Sequence, residues 1–203
     1  MNDKFDTPDA ALSSAADPPP QAMATALPIA HPLDEFYAQM GMTLPLIEQI
    51  PGDEVPEPYK TLLVHNHDMT PTLEQFYREN LHLRVFRREY RNDLYFREVA
   101  LVLDSNEQPV EFGAIKINLA LYSPAARRQV LEEHLPLGHI LETCAVPHTS
   151  RPKAFLRIQS DDFINQSLKL SGQHLLYGRR NTLFDSQQRP LAEILEILPP
   201  VKE

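Results

Sequence analysis

Three apolar, alternating runs follow one another between residues 81 and 119 with little chain between them. Leu81 to Tyr90 (LHLRVFRREY) meets Leu94 to Leu103 (LYFREVALVL) at a turn on Asn92-Asp93. Asp104-Ser105-Asn106 then separates the second run from Val110 to Leu119 (VEFGAIKINL). Turns this short join antiparallel strands, whereas a parallel pair needs a crossover of about a dozen residues or more. The centre of the chain therefore reads as an antiparallel sheet.

Helical signals lie on either side. Thr70-Pro71 predicts a helix start leading through Leu73, Phe76 and Tyr77. Ser123-Pro124 opens a helix through Val130, Pro136 begins a short one, and Ser160-Asp161-Asp162 caps one reaching Leu168. Phe155 to Ile158 suits a strand, and Leu175 to Phe184 with Leu191 to Leu198 forms a closing hairpin around Ser186-Gln187-Gln188. Hairpins with helices inserted between them define an α+β fold on an antiparallel sheet.

The beginning of the chain differs from the rest. Residues 1–60 hold 10 of the 19 prolines and ten acidic residues against Lys4 and Lys60, so they carry −8 of the net −9. Residues 1–30, broken at Pro18-Pro19-Pro20, show no sustained period and are expected to be a disordered acidic tail. The domain proper is placed at 31–203, and its first thirty residues hold one short apolar run from Leu33 to Met42. The acidic balance argues against nucleic-acid binding, and no apolar run is long enough to cross a bilayer. With the single Cys144, this points to a cytoplasmic protein that binds neither nucleic acid nor membrane, and to a monomer.

Strand parity singles out two charges. Tyr95, Arg97, Val99, Leu101 and Leu103 share one face, so Arg97 stands among apolar neighbours. Ala192, Ile194, Glu196 and Leu198 do the same for Glu196. A buried lone charge costs several kcal/mol, so each side chain needs a partner. Two arrangements answer that need. Arg97 and Glu196 pair with each other, or they line a closed pocket in which the arginine takes a ligand carboxylate and the glutamate a hydroxyl.

Five blocks in order, LLVHNHDMT (62–70), YFREVAL (95–101), PLG (136–138), LYGRRN (176–181) and AEILEILPP (192–200), resemble the chorismate pyruvate-lyase family over about residues 31–200. The similarity is to its branch of short bacterial and archaeal proteins. The resemblance implies an antiparallel sheet with helical flaps over an internal site. It also implies cofactor-free conversion of chorismate to 4-hydroxybenzoate and pyruvate, with no metal. Arg97 matches the residue that grips the ring carboxylate, and Glu196 the one that contacts the ring 4-oxygen and could share a proton there. Met69 and Leu137 match positions that offer backbone N–H groups. Distant relatives, the ligand-sensing domains of transcription regulators, keep the scaffold without the chemistry, so a non-catalytic small-carboxylate binder is the alternative.

Other residues receive weaker assignments. Glu193 is expected on the opposite face from Glu196, in solvent, and Lys116 on an exposed face with Ala114 and Asn118. Parity gives one of Arg179 and Arg180 to the interior, as support that orients Glu196. His65-Asn66-His67-Asp68 has the composition of a metal cluster but lacks further ligands at suitable spacing, so it reads as a loop before a helix. Arg84, Arg87, Arg88 and Arg91 read as a solvated sheet face, and Cys144 as a small core residue.

Overall fold

The computed structural model describes residues 27–201. Its frame is one seven-stranded antiparallel sheet in the order β1-β5-β6-β7-β4-β3-β2. The strands are β1 (Ile47–Ile50), β2 (Leu81–Arg91), β3 (Leu94–Leu103), β4 (Pro109–Asn118), β5 (Thr149–Gln159), β6 (Leu175–Phe184) and β7 (Pro190–Leu198). The helices are α1 (Leu33–Gln39), α2 (Tyr59–Leu63), α3 (Met69–Tyr77), α4 (Pro124–Glu132), α5 (Leu137–Thr143) and α6 (Asp162–Leu168). No helix among the described residues is long and apolar enough to cross a membrane.

The central strands are buried on both faces, which alternation alone did not anticipate for β3. One face packs Phe96, Phe112, Ala114, Leu195 and Ile197 against Leu33, Phe36 and Tyr37 of α1 and Ile164 and Leu168 of α6. The other face carries two separate apolar clusters. Ile115, Ile117 and Ile194 pack with Val130 of α4 and Ile140 and Leu141 of α5. Leu101, Leu103 and Leu198 pack with Leu62 and Leu63 of α2 and Leu73 of α3. That division leaves room over the middle of the sheet.

Local chemistry sets most boundaries as expected. Asn92 adopts φ 57°, the left-handed conformation that a tight β2–β3 turn demands. The Ser123 hydroxyl accepts from Ala126 N–H at the start of α4, and Asp161 accepts from Ile164 N–H at the start of α6. The start of α3 differs. Its N-cap position is Asp68, and Thr70-Pro71 falls inside the first turn. The Asp68 side chain does not cap the helix, because it is engaged by His148 at 2.9 Å.

Three surface expectations are corrected. The arginine run of β2 is divided between the faces: the register shift between Val85 and Arg87 sets Arg84, Arg87 and Arg91 opposite Ala100, Glu98 and Leu94 on one face, and Arg88 opposite Arg97 on the other. Arg84, Arg87, Arg88 and Arg91 instead meet Glu107, Glu98, Glu133 and Glu35 respectively. Glu193 is not in solvent: Lys116 lies at 2.7 Å and the buried His31 at 3.5 Å. Burial opposes its charge, but His31 and Lys116 outweigh that and pull its pKa down to about 2. Lys116, held by this pair, is only partly exposed.

The expected tail at 1–30 falls mostly outside the described residues. Within them, Ala30 is buried, and Arg180 donates to the carbonyls of Leu27 and Pro28.

Candidate functional site

The gap between the two clusters is a cavity of about 480 Å³, its mouth included. Its floor is the central sheet and its roof the first turns of α3 and α5. The roof is close-packed: a Cβ added to Gly138 would stand 2.9 Å from Thr70, so only glycine lets the two helix starts meet this way. Arg97, Glu196, Met69 and Leu137 all line this cavity. So do Glu111 and Asn181, which sequence reasoning did not select.

Register fixes the layout of the floor. Arg97 stands in a row with Ile115, Ile194 and Asn181 across four strands. The next row holds Val99, Gly113, Glu196 and Arg179, and the one beyond pairs Leu101 with Glu111. Arg97 and Glu196 are thus separated by two strand spacings and one two-residue step, roughly 12 Å between Cα atoms.

They do not pair. Arg179, directly opposite Glu196, donates from Nε to Oε2 and more weakly, at 3.5 Å, from Nη2 to Oε1. Its remaining N–H groups reach the carbonyls of Leu63, His65 and His67 at 3.4, 3.1 and 3.1 Å. The interior arginine is therefore Arg179, and besides holding Glu196 it ties down the loop that leads to Asp68 and Met69. Arg180 points to the other face and takes no part. Glu196 is not the isolated acid that parity suggested, because a guanidinium compensates it.

Arg97 is the reverse case. It is fully buried, and Nε, Nη1 and Nη2 have no hydrogen-bond partner among the described residues. Burial pushes its pKa down, while Tyr95, Glu133 and Tyr122 oppose that from nearby. A guanidinium does not lose its proton in proteins, so the charge persists. The Tyr95 hydroxyl is already committed to Glu133, which also receives Arg88.

Glu111 lies beyond Gly113 from Arg97. It is buried, its Oε2 has no partner, and no side chain at Gly113 separates it from Glu196. Burial, then the charge of Glu196, raise its pKa well above the ordinary carboxylate range, with Arg179 opposing. Asn181 donates to Ser150 at 2.9 Å and leaves its Oδ1 free of partners. One end of the cavity is thus cationic, and the other holds two carboxyl groups with one guanidinium.

Of the remaining sequence candidates, Asp68 lines the cavity, while His65 and Cys144 are not among its lining residues. His65 contacts the Leu62 carbonyl at 2.7 Å through Nε2 and accepts from His67 N–H at Nδ1. Burial and then Arg179 lower its pKa. Among the described residues no group of three or more His, Cys, Asp or Glu is arranged to hold a metal ion. Cys144 is half-buried at the end of α5, with Sγ 3.5 Å from Gln129.

No family of known proteins matches this sequence, and no curated protein does. Several solved structures do match in fold. PhnF from Mycobacterium smegmatis superposes with a TM-score of 0.53 at 9% identity, over 84% of this chain and 93% of that one. The possible transcriptional regulator YydK from Bacillus subtilis gives 0.50 at 12% identity, over 86% and 97%. A GntR-family transcriptional regulator from Bacillus cereus gives 0.45 at 16% identity, over 61% and 94%. At such identities the likeness is one of fold. It is the α+β class, an antiparallel sheet with packed helices, that the resemblance to chorismate pyruvate-lyases implies.

Proposed function

We propose that the cavity binds a small ring carboxylate of the 4-hydroxybenzoate kind, with Arg97 as its anchor. One observation carries this reading. A fully buried guanidinium whose three nitrogens have no hydrogen-bond partner among the described residues has a planar fork ready for a carboxylate. Met69 and Leu137, first residues of α3 and α5, present helix-start N–H groups that no side chain caps. Glu196, kept in place by Arg179, receives the oxygen on the far side of the ring. YydK, which shares the fold, is named a possible transcriptional regulator, and a role of that kind favours binding over chemistry.

A second reading, chorismate lyase, is favoured by the two carboxyl groups facing Arg97 across one cavity. Loss of the enolpyruvyl ether makes the ring aromatic, so the substrate supplies the driving force. The chain then has only to hold the reactive conformer through Arg97 and stabilise charge at the departing oxygen. Incubation of the protein with chorismate, followed by assay of pyruvate and 4-hydroxybenzoate, tests both. Release of pyruvate establishes the lyase. Saturable binding of 4-hydroxybenzoate without pyruvate release leaves the binder, and neither result rejects both.

A further inference from the structure

We infer that Glu111 is a specificity-determining residue of this cavity, donating a hydrogen bond from its carboxyl group to an uncharged oxygen of the ligand opposite Arg97. This rests on the binding reading above and extends it to a residue outside the family resemblance.

The inference starts from charge. Glu111 and Glu196 share the face of the sheet that floors the cavity, on neighbouring strands, with Gly113 between them. A Cβ at Gly113 would lie 3.1 Å from Glu111 Oε1, so the carboxyl group folds over this glycine toward Glu196. Two buried carboxyl groups therefore stand on neighbouring strands at one end of the cavity. The cation beside them is Arg179, whose N–H groups already serve Glu196 and three backbone carbonyls. Arg97 lies at the far end, two rows away along the strands. Like charges this close cannot both ionise at modest cost, and the carboxyl group without a countercharge keeps its proton. Glu111 is that group, and the raised pKa that follows from its burial and from Glu196 agrees.

Among the described residues Glu111 Oε2 has no partner, and both oxygens of Glu196 already receive Arg179, so the Glu111 proton is left for a ligand. A ligand oxygen that is uncharged (a hydroxyl or ether) accepts from it. An oxygen bearing full negative charge would face Glu196 as well. Arg97 and Glu111 together thus define a ligand by its two ends, a carboxylate and an uncharged oxygen, with the apolar walls of Val99, Ile115 and Leu183 taking the ring.

Infrared spectroscopy tests this on the full chain. At pH 7, in a Glu98→Gln background that silences the other raised carboxyl group, the ligand-free protein should show a protonated-carboxyl C=O band that Glu111→Gln removes. Adding 4-hydroxybenzoate should shift that band to lower frequency without abolishing it. Calorimetry should then find Glu111→Gln, whose amide still donates, within about threefold of the parent affinity. Glu111→Leu should be weaker by roughly ten- to a hundredfold. The proposal is overturned if the band is absent from the ligand-free protein, if it does not move on binding, or if Gln and Leu weaken binding alike. Absence of 4-hydroxybenzoate binding with the band present rejects the binding reading itself, and Glu111's role in it.

Discussion

Replacing Arg97 by Met should make the ligand-free protein more stable. The Arg97 guanidinium is fully buried and among the described residues none of its nitrogens has a partner, so folding bears a desolvation cost with little return. In real proteins that cost is several kcal/mol per ion, and apolar replacement of buried ionic groups has gained about 1–4 kcal/mol. Methionine is unbranched and similar in length, so it retains most of the packing of the arginine stem. Allowing for imperfect fit, a net gain of about 2 kcal/mol is expected, or roughly 4–8 °C in Tm for a chain of this size. Urea unfolding at pH 7 without ligand measures it, with an unchanged m value as the check on two-state comparison. A loss of about 3 kcal/mol or more would refute the reasoning, because that is what breaking a satisfied buried pair costs.

Arg179→Met should act in the opposite sense, costing about 3–5 kcal/mol in the same assay, because it strands Glu196 and frees three loop carbonyls. Glu98, buried on the other face with its pKa raised to about 7 by desolvation against a weak Arg87 contact, should make stability fall as pH rises from about 4.5 to 7. The sign follows because the native state then binds more protons than the unfolded one; Glu98→Gln should remove a fall on the order of 2–3 kcal/mol, read from urea midpoints across that range. His148, its pKa raised mainly by the hydrogen bond it donates to Asp68, gives stability that is complete below about 6.5 and lost as pH rises through its native pKa. Asp68→Asn should lower the His148 pKa in an NMR titration; an unmoved pKa would contradict the pair. Truncation before Leu27 is expected to leave Tm nearly unchanged, while truncation through His31 should lower it by loss of the His31–Glu193 contact.

Parity made Arg97 and Glu196 legible because period-2 alternation assigns a face without knowledge of the partner strand. The same parity applied to Val110–Leu119 would have put Glu111 beside Gly113 and Ile115 on the cavity face, so that residue was readable and was passed over. The Arg179–Glu196 pair was not readable in this way. Projected from a turn centred on Gln187, Arg179 falls opposite Leu195, and only the irregularity between Leu183 and Phe184 moves it opposite Glu196. Strand β1, among the prolines at 45–58, and the five-residue helix α2 just after them are too short for periodicity to register. The burial of both faces of β3 depended on α1 and α6 covering the second face, a tertiary fact that alternation cannot carry.

The most direct test of Arg97 as the anchor of a ligand carboxylate is calorimetric titration of 4-hydroxybenzoate into the parent protein and into Arg97→Met, with 4-hydroxybenzamide as the uncharged control. Saturable binding to the parent, weaker by about a hundredfold or more both for the variant and for the amide, is the expected result. Equal affinity of parent and variant for the acid, or of the parent for acid and amide, would contradict the assignment.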